Sequence, residues 1–212
     1  MSEQKVEAIQ VLKAIEELMD KYLSEGSVEK AVSLYFIVMS GFDYARLYTV
    51  LKFGSLKPYT IVLEDLQKAN VSSILDEAKR LIDAKKIALR QLLVNDALNV
   101  IDKLDPMVKR IVAIALLMLE RGGSLSGDIN EVFKIYQILT GESIPDEVKE
   151  ELSRYLYRLH ILELSSYYLG RGSYVWSPNA PYILKALKGK VPKVVIEFKY
   201  EQERKELGVN KS

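Results

Sequence analysis

Cysteine is absent from the 212 residues, which excludes disulfides, thiolate metal sites and cysteine nucleophiles. Histidine occurs once, as His160, so one chain holds neither a multi-histidine metal site nor a catalytic histidine pair. No apolar run approaches the roughly 18 residues that a membrane span needs, since even residues 111–119 are bounded by Lys109, Arg110 and Glu120. The N-terminus, Met1-Ser2-Glu3-Gln4-Lys5, lacks the charged-then-apolar layout of a secretory signal, and a cytoplasmic location is expected. No glycine-rich loop ends in Gly-Lys-Ser or Gly-Lys-Thr, so no nucleotide phosphate has a cradle and no cofactor is expected. Nor is there an excess of one charge: 30 Lys and Arg face 29 Asp and Glu, for a net charge of +1.

What the chain does have is an uneven spread of that charge. Residues 1–163 carry 21 basic and 25 acidic side chains, and residues 197–212 balance. Between them, residues 164–196 hold Arg171, Lys185, Lys188, Lys190 and Lys193 and no acid at all. This is the one sustained basic segment, and a phosphate-bearing partner would meet it first.

The N-terminal part reads as helical. Ala8, Leu12, Ile15, Met19 and Tyr22 recur every three or four residues on a helix over residues 3–23, which Gly26 ends. That stripe packs on its own domain or serves as a dimer seam, and a homodimer through the N-terminal helices is expected. Residues 28–40 form a nearly buried helix with Ser27 as N-cap, broken by Gly41. Asp43 can cap the next, which runs to Gly54 and places Tyr44, Tyr48 and Leu51 at helical spacing as a core stripe. Over residues 55–70 the pattern leaves strand and helix open, with Lys57-Pro58 marking a turn. Ser73 and Asp76 make a capping box for Ile74, Leu75, Ala78, Leu81 and Ile82, and a further pattern of Leu89, Leu92, Leu93, Asp96, Val100 and Leu104 follows. Lys79, Arg80, Lys85, Lys86 and Arg90 interleave with Asp76, Glu77 and Asp83, as on a solvated helix face.

From Asp105-Pro106 the signals sharpen, with an N-cap followed by a proline at the first helical position. Three helices are expected at residues 107–121, 128–140 and 146–160, stopped by Gly122-Gly123 and Gly141 and opened by the Asp128/Glu131 capping box and by Pro145. A two-stranded ribbon over residues 162–169 and 174–177 follows, turned by Gly170-Arg171-Gly172-Ser173, with an alternating strand at residues 194–200. His160 stands where the third helix should end, where its charge would favour the helix C-terminus. The expected fold is therefore mainly α, with a helical N-terminal domain over residues 1–104, a winged helix-turn-helix with a β-hairpin wing over residues 105–200, and a polar tail over residues 201–212.

These residues carry a resemblance. Leu104-Asp105-Pro106 with Lys109-Arg110, then residues 127–136, the third helix and Leu169-Gly170-Arg171-Gly172 resemble the C-terminal winged-helix domain of archaeal origin-recognition initiator ATPases, over about 75 of 212 residues. Residues 73–103 resemble the helical lid that precedes it. The resemblance implies DNA binding, with Arg171 in the wing turn presented to the minor groove. Two departures limit it. The nucleotide-binding loop is missing, so ATP hydrolysis is not carried over. The third helix opens with Asp146, Glu147, Glu150 and Glu151 against Lys149 where the family places basic residues, which leaves Arg154 and Arg158 to meet phosphate one and two turns on.

Catalytic readings find little support. Glu197-Phe198-Lys199 on the last expected strand is half of a metal-dependent nuclease signature, but the upstream acidic ligand and the remaining sheet are missing. Ser165, Ser166 and Ser173 have only His160 as a base, at no triad spacing. A non-enzymatic binder of double-stranded DNA is expected, a transcriptional regulator or replication-associated factor. Its phosphate contacts would be Arg171, Lys185, Lys188, Lys190 and Lys193, supported by Arg154 and Arg158 and by Tyr167, Tyr168, Tyr174 and Trp176 behind them. The alternative is a protein-interaction module that docks a basic partner on the acidic third helix.

Overall fold

The computed structural model describes residues 3–66, 74–122, 125, 129–164 and 174–194. These form helices α1 (Glu3–Ser24), α2 (Val28–Ser40), α3 (Phe42–Phe53), α4 (Lys57–Asp65), α5 (Leu75–Ala84), α6 (Lys86–Ile101), α7 (Pro106–Gly122), α8 (Asn130–Thr140) and α9 (Asp146–Arg158). Strands β1 (Leu162–Leu164) and β2 (Tyr174–Trp176) and helix α10 (Ala180–Leu187) complete the order. The chain is mainly helical with one small antiparallel strand pair, in which Leu162 faces Trp176 and Leu164 faces Tyr174.

Local chemistry accounts for some boundaries, although the Ser27 hydroxyl makes no cap hydrogen bond to α2 and Gly41, not Asp43, stands at the N-cap of α3. The Asp105 carboxylate accepts from the Met107 N–H at 2.7 Å, satisfying one of the free donors at the start of α7. Gly141 closes α8 at φ +74°, a left-handed conformation that a side chain would strain, and its N–H returns to the Gln137 carbonyl at 2.8 Å. The open stretch after Gly54 is helical from Lys57, with Pro58 in the first turn. The wing turn around Arg171, the strand beyond residue 164 and all but the first residue of the expected strand 194–200 lie outside the described residues, as do Ser73 and Asp128 of the two capping boxes.

Two hydrophobic cores share helix α6. Leu89 belongs with α1, α2, α4 and α5, whose buried members include Ile15, Met19, Tyr22 and Ile37. Leu93, Ala97 and Ile101 belong with α7 to α10, packed around Ile111, Leu156 and Leu184. The division between the cores thus runs through α6. The lower half of the α1 stripe, Ile15, Met19 and Tyr22, is spent inside its own chain.

Helix α3 turns a different face inward from the one its aromatics suggest. Its buried residues are Ala45, Tyr48, Thr49 and Lys52, while Tyr44 is 40% and Leu51 54% exposed. The Thr49 hydroxyl lies 3.0 Å from that of Ser33 on α2, and each also lies within reach of a carbonyl of its own helix, so their two protons serve two of these three contacts at a close helix contact. Tyr48 stacks on Phe36 at 4.6 Å and sends its hydroxyl to the Leu164 carbonyl at 3.1 Å. Leu156→Ala, at a fully buried position, is expected to cost about 2–5 kcal/mol in urea denaturation, whereas Ile87→Ser, at a position 78% exposed on α6, should stay within about 0.5 kcal/mol of the parent.

Candidate functional site

Two groups of polar residues stand out, one on the surface of α10 and one buried beneath it. Helix α10 packs on α6 and α7 through Ala180, Ile183, Leu184 and Leu187. Its outward stripe is Tyr182, Lys185 and Lys188, three residues apart. Tyr182 is 50% exposed, and the Arg90 guanidinium lies 3.8 Å from its ring centroid while Arg90 Nε donates to Asn179 Oδ1 at 3.2 Å. Lys188 and Lys190 each reach a carboxylate at 2.7 Å, Glu120 and Asp102 respectively, and Lys193 is exposed. The hydrogen bond from Lys190 holds the Asp102 carboxyl below its usual range.

The structure therefore gathers Lys185, Lys188, Lys190 and Lys193 on α10 and the segment after it. Arg154 stays exposed on α9, 3.4 Å from Glu150. Arg158 is directed elsewhere: its guanidinium donates to Asp96 of α6 at 2.7 Å and lies over Phe53. Arg171 is outside the described residues.

The buried group forms where α3 and α6 meet the end of α9. That end is a tight reversal: the His160 N–H bonds the Tyr157 carbonyl and the Ile161 N–H the Leu156 carbonyl, both at 3.0 Å. His160 occupies the left-handed position of this motif at φ +61°, where glycine is usual. Lys52 is 6% exposed and donates from Nζ to the same Tyr157 carbonyl at 3.0 Å, with the ammonium 4.0 Å from the Tyr157 ring centroid. The basic side chain from another element that bonds the α9 terminus is thus Lys52 of α3, and His160 does not supply a charge there.

His160 is neutral for physical reasons. Burial, then the nearby Lys52 charge, pull its pKa down to about 4 against the opposing effect of Asp96. Its Nε2 lies 2.8 Å from the Asp96 carboxylate, which assigns the proton to Nε2 and leaves Nδ1 as a buried acceptor with no partner. Burial works to raise the Asp96 pKa, but the hydrogen bonds from His160 and Arg158 outweigh it and hold the carboxyl below its usual range. Lys52 is depressed to about 7, chiefly by burial, with Arg158 adding to the effect and Glu163 and Asp96 opposing it. Glu163 in turn accepts from Ser177 Oγ at 3.1 Å.

Beside these groups lies a cavity of about 110 Å³, with Lys52, His160, Glu163, Ser177, Asn179 and Arg90 on its polar side. Sequence reasoning missed it, although two signals were present. Lys52 continues the spacing of Ala45, Tyr48 and Thr49, and Asp96 interrupts the apolar stripe of α6. Among the described residues no group of His, Asp and Glu is placed to hold a metal ion, and no helix is long and apolar enough to cross a membrane. No protein-family model, curated protein or solved structure matches the chain.

Both depressed bases bind fewer protons folded than unfolded, so stability rises with pH across each window. For His160 the gain comes between about 4 and 6.5, and for Lys52 between about 7 and 10.5. Lys52→Met is expected to remove the upper rise, which is at most about 1.4 kcal/mol per pH unit, in urea denaturation at pH 7 to 10. The variant should fold, because the Tyr157 carbonyl keeps the His160 N–H.

Proposed function

We propose that the chain is a non-enzymatic DNA-binding protein of the winged helix-turn-helix kind, a transcriptional regulator or replication-associated factor. Helices α7, α8 and α9 followed by the β1–β2 pair have the order of that fold, and the resemblance to the initiator C-terminal domain agrees with it. The observation that carries the reading is the α10 surface: Tyr182, Lys185 and Lys188 in line on an outward face, in a segment of 33 residues (164–196) with no acid. Lys185, Lys188, Lys190 and Lys193 track the duplex backbone, and Arg171 enters the minor groove from the wing turn. The α9 N-terminus carries exposed Asp146, Glu147, Glu150 and Glu151 and does not read the major groove. Arg154 is the α9 side chain left for phosphate, since Arg158 is held by Asp96. Backbone contacts of this kind position a protein without reading sequence, so selectivity is expected to be low.

A second reading has its own observation. The exposed acids of α9 stand in the same half as Ile138, which is exposed on α8, a combination suited to a protein partner with basic and apolar residues. A gel shift on random duplex at low salt separates the two, since only the DNA reading gives a complex. Lys185→Glu with Lys188→Glu is expected to weaken that complex and to lower the slope of log K against log salt by about two. An unchanged slope sinks the assignment.

Two copies would bind DNA as a pair through the N-terminal helices. With part of the α1 stripe buried in its own core, α3 is the helix that offers a seam, through exposed Tyr44, Leu47, Val50 and Leu51. Sedimentation equilibrium should show a concentration-dependent dimer that Leu47→Glu converts to monomer.

A further inference from the structure

We propose that the cavity between α2, α3, α6 and the turn leading from β2 into α10 is a binding site for a small hydroxylated oxyanion, of the size of a two-carbon hydroxy acid. Three features of its wall point to that chemistry. Charge is the first: Lys52, Lys86 and Arg90 line it against the single carboxylate of Glu163, so the lining favours an anion. An unmet acceptor is the second. His160 is 2% exposed, its Nδ1 has no partner, and the ring lines the cavity. A buried acceptor in that state costs stability until a donor reaches it, and a hydroxyl on the ligand supplies one.

Size and polarity complete the description. A cavity of about 150 Å³ holds benzene, with six heavy atoms, so a volume of about 110 Å³ suits four or five. Glycolate and hydrogen phosphate both have five heavy atoms, an anionic end and an O–H. The lining also includes apolar Val32, Phe36, Leu89 and Leu93, which favours the ligand that carries carbon. The carboxylate is placed toward Arg90 and Lys52, whose ammonium has three donors and gives one to Tyr157. The hydroxyl is placed toward His160 Nδ1. No step of bond making is involved. The site is independent of the DNA reading, because neither Lys185 nor Lys188 lines it.

The test is a nuclear magnetic resonance titration of the full-length ¹⁵N-labelled chain at pH 6 and constant ionic strength, with glycolate, acetate and inorganic phosphate as probes. Glycolate is expected to shift the amides of His160, Ser177 and Asn179 saturably. Acetate, which lacks the hydroxyl, should bind at least about tenfold more weakly. Arg90→Gln, at the half-exposed edge of the cavity, should weaken glycolate about tenfold, and Lys52→Met should abolish its binding. Tighter binding of phosphate than of glycolate would support the site and assign it to the inorganic ion. Shifts that never saturate, as for a cavity that holds only water, would overturn the proposal. So would equal affinity for glycolate and acetate, or an Arg90→Gln variant that binds like the parent. Glycolate binding that persists in Lys185→Glu, whether or not duplex binding is lost, separates this site from the α10 surface.

Discussion

The C-terminus of α9 is the point on which the two halves of the molecule depend. A helix end leaves carbonyls without partners, and here the chain reverses at once into β1, so that end is buried. The Ile161 amide satisfies the Leu156 carbonyl and the His160 amide that of Tyr157, to which Lys52 Nζ, 105 residues away in the chain, adds a second donor. Asp96 of α6 then accepts from both Arg158 and His160, at 2.7 and 2.8 Å. Helices α3 and α6 and the end of α9 are thereby fastened through largely buried polar and charged groups. Asp96 is the group whose loss would leave both Arg158 and His160 without their acceptor, and breaking a buried pair of this kind costs about 3–5 kcal/mol.

That junction also divides the cations into two populations. Arg158 and Lys52 are drawn inward and spend their charge on Asp96 and on the α9 carbonyl. The lysines of α10 and beyond remain at the surface, where Lys188 and Lys190 make solvent-exposed pairs of the kind that contribute little and exchange readily. Arg90 belongs to both populations. It stacks on Tyr182 at the surface and lines the cavity, so the exposed basic face and the cavity share one side chain.

Much of the helical order was legible because apolar periodicity and chain-breaking glycines and prolines act locally. Asp105-Pro106 and Gly141 mark their boundaries by chemistry within four residues, and the structure has those boundaries. The α3 face was not legible. Tyr44 and Leu51 follow a helical rhythm as well as Ala45, Tyr48, Thr49 and Lys52 do, and hydrophobicity alone selects the first set. What selects the second is a hydroxyl pair across α2 and an acceptor on α9, both distant in sequence. Helix α10 went unseen for a related reason. Its stripe of Ile183, Leu184 and Leu187 is short and follows two prolines, Pro178 and Pro181, so the lysines dominated the reading. Lys188, Lys190 and Arg158 each meet a carboxylate, and the partners Glu120, Asp102 and Asp96 are positioned by the fold alone.

The amino-acid sequence by itself determined the helical class, the places where most helices start and stop, and the location of the one segment rich in base and free of acid. These follow from backbone preferences, periodicity and composition, which are properties of neighbouring residues. Tertiary structure decided which side of α3 is buried, which cation closes α9 and why the single histidine is neutral. Each of those outcomes is set by groups brought together from opposite ends of the chain, through desolvation that no local pattern measures. The cavity has the same origin, since its wall draws on α2, α3, α6, the α9–β1 corner and the approach to α10.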